Sequence, residues 1–591
     1  MKCALSAFLL TAVASFAADD MVIRAMRDEL ARSMKKLQLE SLQKPYFIAY
    51  RIVENTGCNA IATFGALNSS NCDAAVESRF RNFSVEVRVG DYARDNTNFF
   101  VPMSVGGVAR PLGSGGSAIP VEDNYDEIRR QLWLATDSAY KNSLDLYAKK
   151  KATLENRHRT EDAPDFSKEP PLNMDESMPR GAWNRTAFEN IVKTLSAIFR
   201  ETPAAADSEV RLMAQHWLVR YVNSEGTSYT RDNSFLTLQV NAAGQAVDGM
   251  TLTDFDVAYA HTIDQLPPMT EMTKRVRALA ARLASLQKAA LVDKYTGPVL
   301  FEGQGAAEIF CQGIGNVLVG VPRVVVDDSR LENIYNNNAG FADRIGARIL
   351  PDFLTITDDP SVHDFHGQPL FGGYQFDDEG VKASPHVIVQ NGILKLLLHS
   401  RALLPGTTQS TASKRGMYPS PTNLIVSASR TMTADQLKAD FLRRIADRGL
   451  PFGIVVRRIG NPQLSQQLNR SVIIIGSSSG GPGSLPIESI TEAYKVFPDG
   501  HEELARNLTV NGMTLANFKD IAAVSDTPYV YAAPMRIMVR TPLMATSFVA
   551  PGGPNVASAA VPSLLFEELV LQRPAGDIPT LPFTPRPTLK P

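Results

Sequence analysis

The chain has 591 residues, room for two to four domains at about 150 residues each, and its 44% hydrophobic and 21% charged content is ordinary for a globular protein. Sixty Lys and Arg against 62 Asp and Glu leave a net charge of −2, so no molecule-wide basic field exists to gather nucleic acid. Four cysteines exclude a disulfide scaffold, and beyond the N-terminus no apolar run reaches the ~18 residues a membrane span needs.

The first 17 residues read as an export leader. Lys2 precedes an apolar stretch over 3–14 that is too short to span a bilayer, and Ser15-Phe16-Ala17 offers small residues for cleavage after Ala17. Cys3 does not follow the apolar stretch as a lipid-attachment cysteine would. The expectation is a periplasmic or secreted protein without a lipid anchor.

Downstream, Ile23, Met26, Leu30 and Leu37 predict an amphipathic helix over 20–39. The period then becomes two, with a strand at 46–50 and another through Phe83, Val85, Val87 and Val89. A Gly/Ser loop over 103–119 precedes a long helix that reaches about residue 155. Its basic end, Lys149, Lys150, Lys151, Arg157 and Arg159, reads as a solvated face rather than an anion grip. Residues 159–185, rich in Pro, Asp and Glu, read as an exposed excursion.

From 209 to about 260 the pattern is an antiparallel meander with turns at Ser224-Glu225-Gly226 and Ala243-Gly244. Pro267-Pro268 then opens a helix carrying Met272, Val276, Leu279, Leu283 and Leu286. After Gly297 come a strand, a helix of small residues over 304–318, and short β segments with one clear helix at 434–447 capped by Thr433. These elements predict an α+β protein: an N-terminal antiparallel sheet with long helices over 18–296, including a helical excursion at about 120–200, then a β-rich domain over 297–572. Residues 573–591 form a Pro-rich tail.

Eight histidines are the filter for metal chemistry, and neither HExxH nor HExxxH occurs. The one close pair is His363 and His366 with Asp364 between them, a zinc candidate set in a Pro/Gly loop that does not fix ligand geometry. Gly476-Ser477-Ser478-Ser479-Gly480 is formally GxSxG, with Ser478 as a candidate nucleophile. Gly481-Pro482-Gly483 continues a loop where a nucleophile elbow needs a helix. Cys311 sits on an apolar helix face and reads as a buried thiol. Ala306, Ala307 and Ile309 of the same helix are expected against the second-half sheet, with Gly305 allowing close approach and Glu308 playing no part in chemistry. Cys58 and Cys72 bracket a strand and turn; in an oxidising compartment they predict a disulfide, unless their Cβ separation leaves two free thiols.

Several stretches in one order, YRIVENTG, SVEVRVGDY, VNSEG, GPVLFEGQGAAEIF, TDDPS, GGYQFDDEGV, VIVQNGILKLLLHSR, PTNLIV and VPSLLFEELVL, resemble the TldD/PmbA family over about residues 45–570. Its members are called modulators of DNA gyrase and are regarded as peptidases. The resemblance implies a TldD/PmbA-type C-terminal domain and a homo- or heterodimer around a cavity that admits unfolded peptide; that nucleic acid is no ligand is the expectation from the balanced charge. In catalytic members the helix after the GPVLF-like strand carries HExxxH and a later cysteine completes a zinc site. Here that helix reads GQGAAEIFCQGIGNVL and no cysteine follows Cys311, so the resemblance implies a non-catalytic subunit without a cofactor. Two other readings stay open: a hydrolase in its own right, through His363/His366 or Ser478, and a stand-alone peptide-binding protein.

Overall fold

The computed structural model describes residues 20–72, 80–101, 117–157, 163–177, 183–332, 336, 343–464, 484–506, 508–534, 556–573, 584 and 587. The leader, most of the Gly/Ser loop, Arg159, Ser478 and nearly all of the 573–591 tail lie outside these residues. The protein is α+β, as its sequence pattern predicts.

Helix α1 (Met21–Lys36) starts at Asp20, whose carboxylate accepts from the amides of Val22 and Ile23, and it buries Val22, Ile23, Met26 and Leu30. Strands β1 (Pro45–Thr63) and β2 (Ala66–Asn71) form a hairpin, and β3 (Phe80–Val89) pairs with the earlier part of β1 along the same edge. Helix α2 (Tyr125–Asn156) packs on β3 and α1. Strand β4 (Asn173–Ser177) precedes α3 (Arg185–Ala197), and the meander follows as β5 (Asp207–Asn223), β6 (Ser228–Gln245) and β7 (Thr251–Ala260), closed by α4 (Met269–Leu286). Together with Ser117–Ala118 these strands make an eight-stranded sheet, antiparallel except where β4 runs parallel to β6. Because side chains alternate, one face of its centre buries Ala60, Leu212, Leu238 and Ala258 against α3 and α4.

Three local expectations are corrected. The 159–185 excursion is pinned rather than exposed where it is described: Phe166 is buried among Phe47, Trp217 and Tyr221, and β4 joins the sheet. Lys150 leaves the solvated face that Lys149 and Lys151 share. It is 1% exposed, and its ammonium donates to Asp165 at 2.6 Å and to the carbonyl of Thr97 at 2.7 Å. Ala243-Gly244 is not a turn but part of β6, the turn falling at 246–250. The glycine is required there because a Cβ would stand 2.1 Å from the carbonyl oxygen of Ala204.

The second sheet is built on β8 (Lys294–Phe301), which leads into α5 (Gly303–Gly313). Strands β9 (Leu354–Asp358), β10 (His386–Gln390) and β11 (Asn423–Ala428) precede α6 (Ala434–Asp447), where Thr433 and Gln436 close a capping box. Strands β12 (Gly453–Ile459), β13 (Ile490–Val496), β14 (Glu502–Arg506), β15 (Ile521–Pro534) and β16 (Val556–Gln572) complete it. The order is β14-β13-β12-β8-β16-β11-β9-β10, with β15 also on β16. The first sheet's strands fall within 45–260 and the second's within 290–572.

Buried ion pairs join the halves. Asp378 meets Arg51 at 2.9 Å and Arg231 at 2.8 Å, Arg231 also pairs with Glu176, and Arg401 grips Glu225 at 2.6 Å. On the other side Arg506 meets Asp248 and Arg458 meets Asp254. Burial works to raise the carboxyl of Asp378, but the two arginines beside it hold it below the usual carboxylate range.

Candidate functional site

Helix α5 lies at the centre of the second half, with Ala306, Ala307, Ile309 and Phe310 in the main core. It approaches the sheet closely, since a Cβ on Gly305 would stand 2.7 Å from the carbonyl oxygen of Val456. Gln304 pairs its side-chain amide with both main-chain groups of Ile459, donating at 2.9 Å and accepting at 2.9 Å, which ties the first turn to the end of β12.

Glu308 is the polar hub of the helix. It is 0% exposed, and its carboxyl accepts from the hydroxyl of Tyr531 at 2.5 Å and from the amides of Asn461 at 2.9 Å and Gln312 at 2.7 Å. Burial pushes this carboxyl up to about 7, against the pull of its three donors. Burial also raises the Tyr531 phenol and the Cys311 thiol, with the Glu308 charge acting the same way. Sequence reasoning set Glu308 aside. The available signal was a lone carboxylate inside an otherwise apolar and small-residue helix, which needs partners to be buried.

The donor set here does not fit zinc. With Glu308 at the glutamate of the HExxxH spacing, Ala307 and Gln312 stand at the two histidine positions. The Glu308 oxygens are occupied by N–H and O–H donors, which a cation would have to displace. Among the described residues no group of three His, Cys, Asp or Glu is arranged to hold a metal ion.

Asp364 and His366 lie on a small exposed hairpin over 364–369, with His363 just before it. Asp364 accepts from the amide of Gly367 and His366 stacks on Phe365, so these two serve the turn, and the three do not form a metal-holding group. Ser478 lies outside the described residues. Cys58 and Cys72 form a disulfide that closes the β1–β2 hairpin, and Cys311 is a buried free thiol.

Residues 317–573 match the model of the PmbA/TldA metallopeptidase C-terminal domain. A metalloprotease from Methanocaldococcus jannaschii is 38% identical over 73 residues, 12% of this chain and 15% of the relative. One from Methanothermobacter thermautotrophicus is 24% identical over 321 residues, 51% of this chain and 59% of the relative. The matches thus span less than two thirds of these relatives. Among solved structures, a protein assigned as a modulator of DNA gyrase from Thermotoga maritima superposes with a TM-score of 0.57 at 14% identity, covering 93% of this chain and 99% of that one. TldE from Thermococcus kodakarensis gives 0.55 at 13% identity, with 93% and 99% covered. The fold is therefore shared with these proteins over nearly the whole chain. Over residues 317–573 the chain belongs to the TldD/PmbA family, and the rest of it shares the fold of these solved structures.

Proposed function

We propose that the chain is an exported, non-catalytic subunit of the TldD/PmbA family that holds unfolded peptide for a zinc-bearing relative, within a homo- or heterodimer. The observation that carries this reading is the closure of Glu308 by Tyr531, Asn461 and Gln312 on the helix where catalytic relatives carry HExxxH. A carboxyl without access to solvent and without an adjacent nucleophile has no route to a scissile bond. The exposed His363 and His366, which form no metal-holding group, give the alternative metal site no support. The hairpin disulfide supports export, because such bonds persist in oxidising compartments.

The test is elemental analysis beside a casein-hydrolysis assay, on the chain alone and with partners recovered from the exported fraction. The chain alone is expected to carry well under one equivalent of zinc, to keep its melting temperature in EDTA, and to cleave nothing. Stoichiometric zinc with chelator-sensitive cleavage would reject the reading. Chelator-resistant cleavage lost in Ser478→Ala would replace it with a serine hydrolase.

A further inference from the structure

The turn between α1 and β1 holds two leucines in water. Leu39 is 42% exposed and Leu42 45%. The main chain beneath them is well fixed: the Leu42 amide donates to the Leu39 carbonyl at 2.9 Å, the Tyr140 hydroxyl to the Gln43 carbonyl at 2.8 Å, and the Gln43 side-chain amide to the Gly90 carbonyl at 2.9 Å. Glu40, between the leucines, has φ at 48°, a left-handed conformation that residues with a Cβ rarely adopt.

Single exposed apolar residues are common on protein surfaces, so their company decides what they mean. Lys35, Lys36 and Lys44 are exposed and have no ion-pair partner among the described residues, and Glu40 is the one acidic residue over 30–44. Arg32 adds to this charge, because it shares the carboxylate of Glu29 with Arg129. The tip is therefore cationic on a chain whose net charge is −2. Trp133 lies seven residues before Tyr140, on nearly the same face of α2, and is 48% exposed. About one turn to either side of it, Arg130 pairs with Glu127 and Lys141 with Asp137.

Leucines among lysines, with a tryptophan beside them, match the two layers of an anionic lipid surface. Headgroup phosphates attract the ammonium groups, while leucine and indole enter the boundary between headgroups and acyl chains. A nucleic acid or an acidic protein would use the lysines and leave the leucines wet. A second copy, meeting the tip through a two-fold axis, would set lysine against lysine.

We propose that the α1–β1 tip, with Lys35, Lys36, Leu39, Leu42 and Lys44 and with Trp133 beside it, docks the folded protein on an anionic lipid bilayer without crossing it. The proposal is independent of the peptide-holding reading.

The test is cosedimentation of the full chain with vesicles of phosphatidylcholine alone and of phosphatidylcholine and phosphatidylglycerol in equal parts. The wild type is expected to bind the anionic vesicles at least tenfold more tightly and to lose most of that preference at high salt. The triple variant Lys35→Gln, Lys36→Gln, Lys44→Gln and the double variant Leu39→Ser, Leu42→Ser are each expected to weaken binding at least tenfold with an unchanged melting temperature, since exposed side chains without ion pairs are replaced. Trp217 is 2% exposed and Trp183 packs against the core under α3 and α4, so Trp133 is the reporter: its emission is expected to shift to the blue on anionic vesicles, and Trp133→Phe to abolish the shift.

Equal binding to both vesicles would overturn the proposal, as would emission unchanged on bound vesicles. Binding that survives both multiple variants would place the anchor elsewhere, in the apolar stretch over 3–14 for instance, and would overturn it too. Binding that needs the lysines and not the leucines would mark a general polyanion site instead. A fall in oligomeric mass by light scattering in the Leu39→Ser, Leu42→Ser variant would mark an interface between copies instead.

Discussion

Glu308 shows how a single carboxyl can serve a fold without serving a reaction. Its position raises its pKa from an ordinary 4.5 to about 7. An acid raised in this way stabilises the folded state fully below 4.5, and the contribution is lost as pH climbs through 7. Between pH 5 and pH 8 the wild type is therefore expected to lose on the order of 2–3 kcal/mol more unfolding free energy than Glu308→Gln, from about 1.4 kcal/mol per pKa unit. Urea titrations of both proteins at the two pH values check this. Asp358 is also pushed up to about 7 by burial and moves the same way in both proteins, so it cancels in the difference. Parallel pH profiles would show that Glu308 does not titrate in that window.

Lys150 makes the complementary case. Its ammonium is buried beside Asp165, which is itself buried and also accepts from the amides of Asp95 and Asn98. Lys150→Met strips the carboxylate of its counter-charge and is expected to cost about 3–5 kcal/mol. Adding Asp165→Leu should return part of that loss, because the stranded charge is then gone. A double variant as unstable as the sum of the two singles would mean that the pair is not coupled.

Among the elements, the β1–β2 hairpin depends most on a covalent link. Cys58 faces the core from β1, and the disulfide to Cys72, 14 residues on, fastens the hairpin end over the cluster that includes Ala60, Phe188 and Leu212. Reduction, or Cys58→Ser with Cys72→Ser, is expected to lower stability by about 3 kcal/mol, the loop-closure value for a ring of this size. Differential scanning calorimetry with and without reductant measures it, and an unchanged melting temperature would show that the hairpin is held by its pairing alone. Helix α1, the capped helix α6 and the strands of the meander were legible in the sequence, because each is written in neighbouring residues: a period or a cap. Gly244 misled for the same reason. Local rules read a glycine as a turn, whereas this one makes room for the carbonyl of Ala204, some forty positions earlier.

At the scale of the whole molecule, the halves are joined by ionic clusters set beside an aromatic seam in which Tyr229 meets Phe376 and Phe235 meets Phe371. Arg401 reaches across to Glu225 and to the carbonyl of Ser167, and is 1% exposed. Arg401→Met is expected to leave each sheet folded while loosening the junction, since Glu225 would keep a desolvated charge. Limited proteolysis should then cut first in 163–172 or 372–381, the segments that these arginines clamp. Cleavage no faster than in the wild type would show that the cluster around Asp378 suffices to hold the junction.

The sequence by itself determined the fold class and the order of helices and strands, and its motifs carry the family resemblance along nearly the whole chain. Each of these is encoded in residues close together, where periodicity, capping and turn chemistry act. The tertiary structure alone decided which polar residues are buried and with whom. Glu308 finds Tyr531 223 positions away, and Arg401 finds Glu225 176 positions away. A charge or an amide is written the same way in the sequence whether water or protein surrounds it. Its pKa, its partners and hence its use are fixed by desolvation, which belongs to the folded chain and to no local stretch of it.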